Sequence, residues 1–283
     1  MNYRNWLLLI TLSIVWGGSF YFIEKSLVYF AFEQVVFFRV LFAAVFILPV
    51  LIVKRVRIVL DLRLWGMFLI MGSLNNVIPF LGITYAQESI TASLASLFNA
   101  TTPIFTAAFA HVLTKDEKIS PLKALGILTG FAGMVILLLP SGFGSFESAG
   151  MFAIMGAVSY ACAGIFGKRL KGYDPVLNVF GMLSSSALIM YCLFFTSINS
   201  LHVESLYEFK DLILLSLVST SMAYVIYFTL LFRVGAVKLL LVTYLIPVSA
   251  SVLGIFLLNE KFTLNMLAGA LIIFVSLWLI NRD

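Results

Sequence analysis

Ten runs of apolar residues follow one another through this chain, joined by short polar connections. They cover roughly 5–23, 32–53, 64–86, 90–113, 121–139, 148–169, 176–199, 210–232, 236–257 and 263–281. A helix needs about 20 such residues to cross the hydrocarbon core of a bilayer. The lengths therefore predict an all-α integral membrane protein with ten transmembrane helices. A transmembrane β-barrel would instead show alternating segments of about 10 residues. Composition agrees: 62% of the residues are hydrophobic and 11% charged, where a soluble domain carries about 25% charged residues. Cys162 and Cys192 both lie in apolar runs and suggest neither a disulfide nor a metal site. Arg4 before the first run imitates a signal peptide, but no small-x-small cleavage site follows, so the run reads as a retained helix.

Lysine and arginine set the orientation. With the N-terminus inside, one side receives Arg4, Lys54, Arg55, Arg57, Arg63, Lys115, Lys118, Lys123, Lys168, Arg169, Lys171, Arg233, Lys238 and Arg282, fourteen of the eighteen. The other side receives Lys25, Lys210 and Lys261, and Arg39 stays within a span. The split predicts that both termini are cytoplasmic.

The stretch TTPIFTAAFAHVLTKDEKISPLKALG is echoed later by YLIPVSASVLGIFLLNEKFTLNMLAG. Pro103 and Pro247 are 144 residues apart, as are Asn99 and Thr243, Asn75 and Ser219, Asn76 and Thr220, and Trp16 and Tyr160. Glu117–Lys118 matches Glu260–Lys261 one residue closer. Two halves are expected, 1–140 and 147–283, with five helices each. Because five is odd, the second half must be inserted upside down, the inverted-repeat plan of secondary transporters.

Polar residues near the middle of the spans mark a candidate cavity. The third span carries Asn75 and Asn76, with Pro79 a turn on; the fourth carries Asn99, Thr101, Thr102 and Pro103. The eighth offers Ser219, Thr220, Ser221 and Tyr224, and the ninth Thr243, Tyr244, Pro247 and Ser249. The first and sixth add Ser13, Trp16, Ser159 and Tyr160. A proline inside a helix frees a carbonyl, so Pro79, Pro103 and Pro247 are candidate kinks beside a midplane substrate site. The other reading of each hydroxyl is a bond to its own helix backbone. The fifth and tenth spans are almost purely apolar and are expected away from the cavity.

Arg39, in FFRVLFAAVFIL, is the one charge deep within a span. A charge there marks a candidate functional site. It either anchors a substrate carboxylate or phosphate, or pairs with Glu33 a turn and a half away. No Asp or Glu lies at the same depth, which disfavours a carboxylate proton relay. No phosphate-binding loop, buried Ser–His pair or aspartate pair occurs, so neither ATP-driven transport nor an intramembrane enzyme is expected, and no cofactor or metal.

Two five-helix halves, WGGSF in the first helix, an arginine in the second, NATTPIFTA with a following EK, and TYLIPVSASVLGIFLLNEKFT resemble the ten-helix drug/metabolite transporter superfamily, EamA-domain branch. The resemblance covers the whole chain. It implies an inner-membrane carrier of amino acids or similar small metabolites, commonly an exporter, working by alternating access. It implies a cavity lined by the first, third, fourth, sixth, eighth and ninth helices. By position it carries the family's aromatic-glycine motif to Trp16 and Gly17, its arginine to Arg39, its prolines to Pro103 and Pro247, and its loop acids to Glu117 and Glu260. The expected substrate-binding set is Arg39, Trp16, Asn75, Asn76, Asn99, Thr102, Tyr160, Thr220, Tyr224, Thr243 and Tyr244. The chain departs from symmetry at Tyr160, which stands opposite Trp16, and at Leu183, which stands opposite Arg39. The alternatives are an exchanger of nucleotide-type or phosphorylated metabolites, which would favour more than one buried cation, and a passive channel. The expected partners are a small-molecule substrate and the bilayer, with no nucleic acid, in a monomer or homodimer.

Overall fold

The computed structural model describes residues 1–115, 117–139, 149–201, 205–258 and 263–282. The expected junction at 140–147 and the Glu260–Lys261 pair lie outside them. Among the described residues there are helices and no strands. Eight helical stretches are long and apolar enough to cross a membrane: α1 (Tyr3–Ser26), α2 (Phe32–Val53), α3 (Leu62–Ala86), α6 (Pro121–Leu138), α7 (Gly150–Leu170), α8 (Pro175–Leu193), α9 (Leu206–Leu240) and α11 (Leu264–Asn281). Among the shorter helices are α4 (Ala92–Asn99), α5 (Thr102–Leu113) and α10 (Val242–Leu258).

The starts follow from local chemistry. The side chains of Asn2, Asp61, Thr91, Ser120 and Asp174 each accept a hydrogen bond from a backbone N–H of the first turn that follows. Pro121 and Pro175 sit at first helical positions, where a missing N–H costs nothing.

One expected boundary is corrected and another takes an unexpected form. The single helix anticipated over 90–113 is two, α4 and α5, broken at Ala100–Thr101. Pro103 cannot donate to Asn99, and the Thr102 hydroxyl takes that carbonyl at 2.5 Å. Farther on, the anticipated connection at 233–235 is a sharp corner with no loop, and helical structure resumes directly after it. Gly235 turns α9 sharply, with φ 82° and ψ 174°, and α10 starts only at Val242.

Glycines set the closest approaches. α6 and α11 pack along a seam in which a Cβ on Gly133 would lie 3.0 Å from the Gly269 carbonyl, and Ser276 donates to the Gly126 carbonyl at 2.7 Å. Small residues let helices approach this closely in lipid, where apolar burial drives little association. α3 meets α7 in the same way: a Cβ on Gly82 would lie 2.4 Å from the Phe152 carbonyl oxygen. That atom is backbone and cannot swing aside. Gly82→Ala is therefore expected to force the two helices apart at a cost of about 1–3 kcal/mol. A thermal-unfolding midpoint in detergent equal to wild type would contradict this packing.

α2 packs on α8, α1 on α9 and α10, and α7 on α3, α4 and α5. The N-terminal amine bonds the Asn281 side-chain oxygen, so the first residue and the end of α11 meet on one face.

Candidate functional site

The centre of the bundle is organised by carbonyls that its helices cannot satisfy themselves. Ser73–Val77 in α3 and Leu217–Met222 in α9 are widened π turns, each near the middle of its helix. Such turns interrupt the i→i−4 ladder and recur at functional sites. Pro79 has no N–H for the carbonyls a turn behind it. Ser159 of α7 donates to the Leu74 carbonyl at 2.7 Å, and Tyr224 of α9 donates to the Asn75 carbonyl at 2.9 Å. In α9 the Ser219 carbonyl accepts from Trp16 Nε1 at 3.1 Å, while the Ser219 hydroxyl donates to the Val15 carbonyl at 3.0 Å. Hydroxyl and indole donors thus tie α1, α3, α7 and α9 together.

Tyr224 carries a testable part of this. Tyr224→Phe removes the donor to a buried carbonyl and changes little else. The expected cost is about 1–3 kcal/mol of stability, read as a lower unfolding midpoint in detergent.

These bonds surround a narrow central cavity. It brings together seven of the eleven residues expected from the sequence: Trp16, Arg39, Asn75, Asn99, Tyr160, Tyr224 and Thr243. The other four point elsewhere. Asn76 donates to Ser186 on α8 at 2.9 Å, Thr102 to the Asn99 carbonyl, and Tyr244 to the Ile127 carbonyl on α6 at 2.8 Å. Thr220 stands behind Arg39: it accepts from Nε at 2.9 Å and donates to the Leu215 carbonyl at 2.9 Å. Of the three prolines, Pro79 and Pro103 sit at the starts of helical segments and Pro247 inside α10. Sequence reasoning missed Ser19, Phe20, Phe80 and Tyr227, which also line the cavity. Their only signal was proximity by helical spacing: Tyr227 is one turn from Tyr224, and Phe80 follows Pro79.

Arg39 is buried, and its guanidinium carbon lies 3.6 Å from the centre of the Phe80 ring, a cation–π geometry. The expected alternative, a pair with Glu33, does not form. Glu33 accepts from the Ser197 hydroxyl at 2.6 Å. Just beyond the end of α3, the Glu88 carboxyl is held above the ordinary range, by burial first and then by Glu33. Among the described residues no carboxylate is within ion-pair distance of Arg39; the ion pair found there is Lys168–Glu117 at 3.0 Å. The same cavity is lined by Trp16, Tyr224 and Tyr227, whose ring centres lie 5.7–6.2 Å apart.

The loop acid Glu117 has its own task. Its two oxygens accept from the backbone N–H groups of Ala236 and Val237 at 2.9 Å each, and one also takes Lys168. It caps the helical segment that restarts after Gly235, and ties it to the end of α7.

Similarity to known proteins agrees with this architecture. The model of the EamA-like transporter family matches residues 5–139 and again 148–282. An uncharacterized transporter of Bacillus subtilis, YvbV, is 27% identical over 98% of this chain and 92% of its own length. A probable amino-acid metabolite efflux pump of Escherichia coli is 26% identical over 99% of this chain and 95% of its own. A solved crystal structure superposes with a TM-score of 0.79 at 15% identity, covering 100% of this chain and 98% of that one, so the fold is shared. With a family match over nearly its whole length, a multi-pass helical body and a central cavity, this chain belongs to the EamA-like transporter family of membrane proteins.

Proposed function

We infer that this protein is a secondary carrier, acting as an exporter, for amino acids or similar small metabolites. The cavity around Arg39 is its substrate site, and it works by alternating access. The observation that carries this reading is a buried guanidinium, without a carboxylate partner among the described residues, facing a cavity walled by aromatic rings. A substrate carboxylate would complete that charge. The relatives described as probable amino-acid metabolite efflux pumps support both the substrate class and the direction. Among the described residues no second Lys or Arg lines the cavity, which weighs against phosphorylated substrates.

Alternating access rests on a ten-span body built of two inverted halves, 1–140 and 147–283. Counting α4 with α5 as one crossing, and dividing α9 at Gly235 so that its last turn joins α10, gives ten. The π turns begin 144 residues apart, at Ser73 and Leu217. The packing pairs exchange under the same offset: α1 against α10 answers α7 against α4 and α5, and α2–α8 and α6–α11 answer themselves. The family model's two matches divide the chain at the same place. With the termini cytoplasmic in the cell inner membrane, Ser19, Phe20, Ile23, Phe80 and Ile83 put the cavity in the outer half, and Glu117 closes the inner side.

The test is counterflow in proteoliposomes with a labelled metabolite panel, with and without a pH gradient. A carrier accelerates uptake of label when unlabelled substrate is preloaded. Uptake without that acceleration would identify a channel instead.

A further inference from the structure

Most polar side chains on the cavity wall are used inside the protein. Trp16 donates to the Ser219 carbonyl, Ser19 to the Trp16 carbonyl, Thr243 to the Leu240 carbonyl and Tyr224 to the Asn75 carbonyl. Two of the wall residues carry a buried polar atom that is not used in this way. Asn99 Oδ1 and the Tyr227 hydroxyl are buried without a hydrogen-bond partner, on residues 6% and 1% exposed. A buried, unpaired polar atom costs about 1–3 kcal/mol. Asn99 is also the last residue of α4, which breaks at Ala100–Thr101. The C-terminal end of a helix carries partial negative charge and favours a cation, and interrupted helices use such ends to hold positively charged species. The neighbouring Thr101 and Thr102 hydroxyls donate to the Phe98 and Asn99 carbonyls and so leave Asn99 Oδ1 without a donor. The wall therefore carries a cation at Arg39 and an unpaired hydrogen-bond acceptor on the last residue of α4.

We propose that Asn99 Oδ1 and the Tyr227 hydroxyl form a second recognition pole, which makes the carrier require a hydrogen-bond-donating group, such as an ammonium, on a substrate whose acid group sits at Arg39. The proposal rests on the carrier reading above and narrows it: a carboxylate alone does not suffice. Packing of the Tyr227 ring edge-on to Tyr224, with centres 5.7 Å apart, and beside Trp16 holds the hydroxyl in place. A site built to pair with an N–H rejects the analogue lacking it far more strongly than an apolar pocket rejects a missing methylene.

The probes are matched pairs: L-leucine with 4-methylpentanoate, and L-phenylalanine with 3-phenylpropionate. Each pair differs only in the amino group. Binding to the purified full chain is measured by titration calorimetry at pH 7 for wild type, Asn99→Leu, Tyr227→Phe and Arg39→Gln. Wild type is expected to favour the amino acid of at least one pair by about tenfold or more. Asn99→Leu should bring that ratio near one, Tyr227→Phe should reduce it about threefold, and Arg39→Gln should weaken both members together. The ratio is the decisive readout, because partial misfolding lowers both members equally and leaves it unchanged. A wild-type ratio near one, or a ratio that neither Asn99→Leu nor Tyr227→Phe moves, overturns the second pole alone. Wild-type protein that binds no member of either pair overturns the carboxylate-carrier reading, and this proposal with it.

Discussion

Arg39→Gln is expected to lower substrate affinity and transport about ten- to a hundred-fold, the size of one lost charge-assisted bond. Glu33→Gln is expected to change affinity little, because Glu33 bonds Ser197 rather than Arg39. The double variant should therefore behave like Arg39→Gln alone. Two charges that pair within the membrane would give the opposite pattern: each single variant damaging, and the double recovering stability. Arg39→Lys should fall between wild type and Gln. It keeps the charge but loses the planar group that stacks on Phe80 and the fork that grips a carboxylate. Binding and thermal stability measured on the four variants separate these outcomes. Normal transport by a stable Arg39→Gln protein would remove Arg39 from the site.

The second large effect is expected at Gly235. Its φ of 82° and ψ of 174° lie in a region that only glycine occupies readily. A Cβ there would also lie 2.5 Å from Glu117 Oε1. Gly235→Ala is expected to cost about 1–3 kcal/mol in backbone strain, and about 1 kcal/mol more by displacing the carboxylate that caps Ala236 and Val237. Glu117→Gln should cost less, since an amide oxygen still accepts one of the two N–H groups. Lys168→Met should cost least, because its amine is partly exposed and solvent weakens such pairs to under about 1 kcal/mol. Unfolding midpoints in detergent should follow that order. If Lys168→Met proves the most damaging, the ion pair rather than the cap holds this corner.

The fold was legible in the sequence to the extent that it rests on length and composition. Runs of about 20 apolar residues have few options, since only a helix satisfies its own backbone in hydrocarbon. The prolines were legible too, because a missing N–H leaves a carbonyl that something must satisfy; at Asn99 it is the Thr102 hydroxyl. What replaced the lost bonds was not legible. Nothing local to Pro79 announces that Ser159 and Tyr224, far along the chain, supply the donors next to it. The places of the break between α4 and α5 and of the corner at Gly235 were announced by Pro103 and by the gap between two apolar runs, but their geometry was not, because composition does not tell a kink from a full break.

The candidate site divides at the level of single neighbours. Asn75 faces the cavity while Asn76 bonds Ser186; Thr243 lines it while Tyr244 reaches the Ile127 carbonyl. Consecutive residues on a helix point about 100° apart, so in each of these pairs only one reaches the cavity. In a soluble helix the apolar stripe would reveal which faces inward. Here lipid and protein interior are equally apolar, the pattern carries no such stripe, and helix rotation is set by packing alone. Tyr227 escaped notice for the same reason, since an aromatic residue on an apolar helix reads as core. By itself the sequence determined that the chain spans the membrane as helices, where those helices are weakened, and that one arginine is buried among them. The tertiary structure alone decided which polar groups meet Arg39 across the cavity, because rotation and register depend on glycine contacts and on donors reaching carbonyls from distant helices.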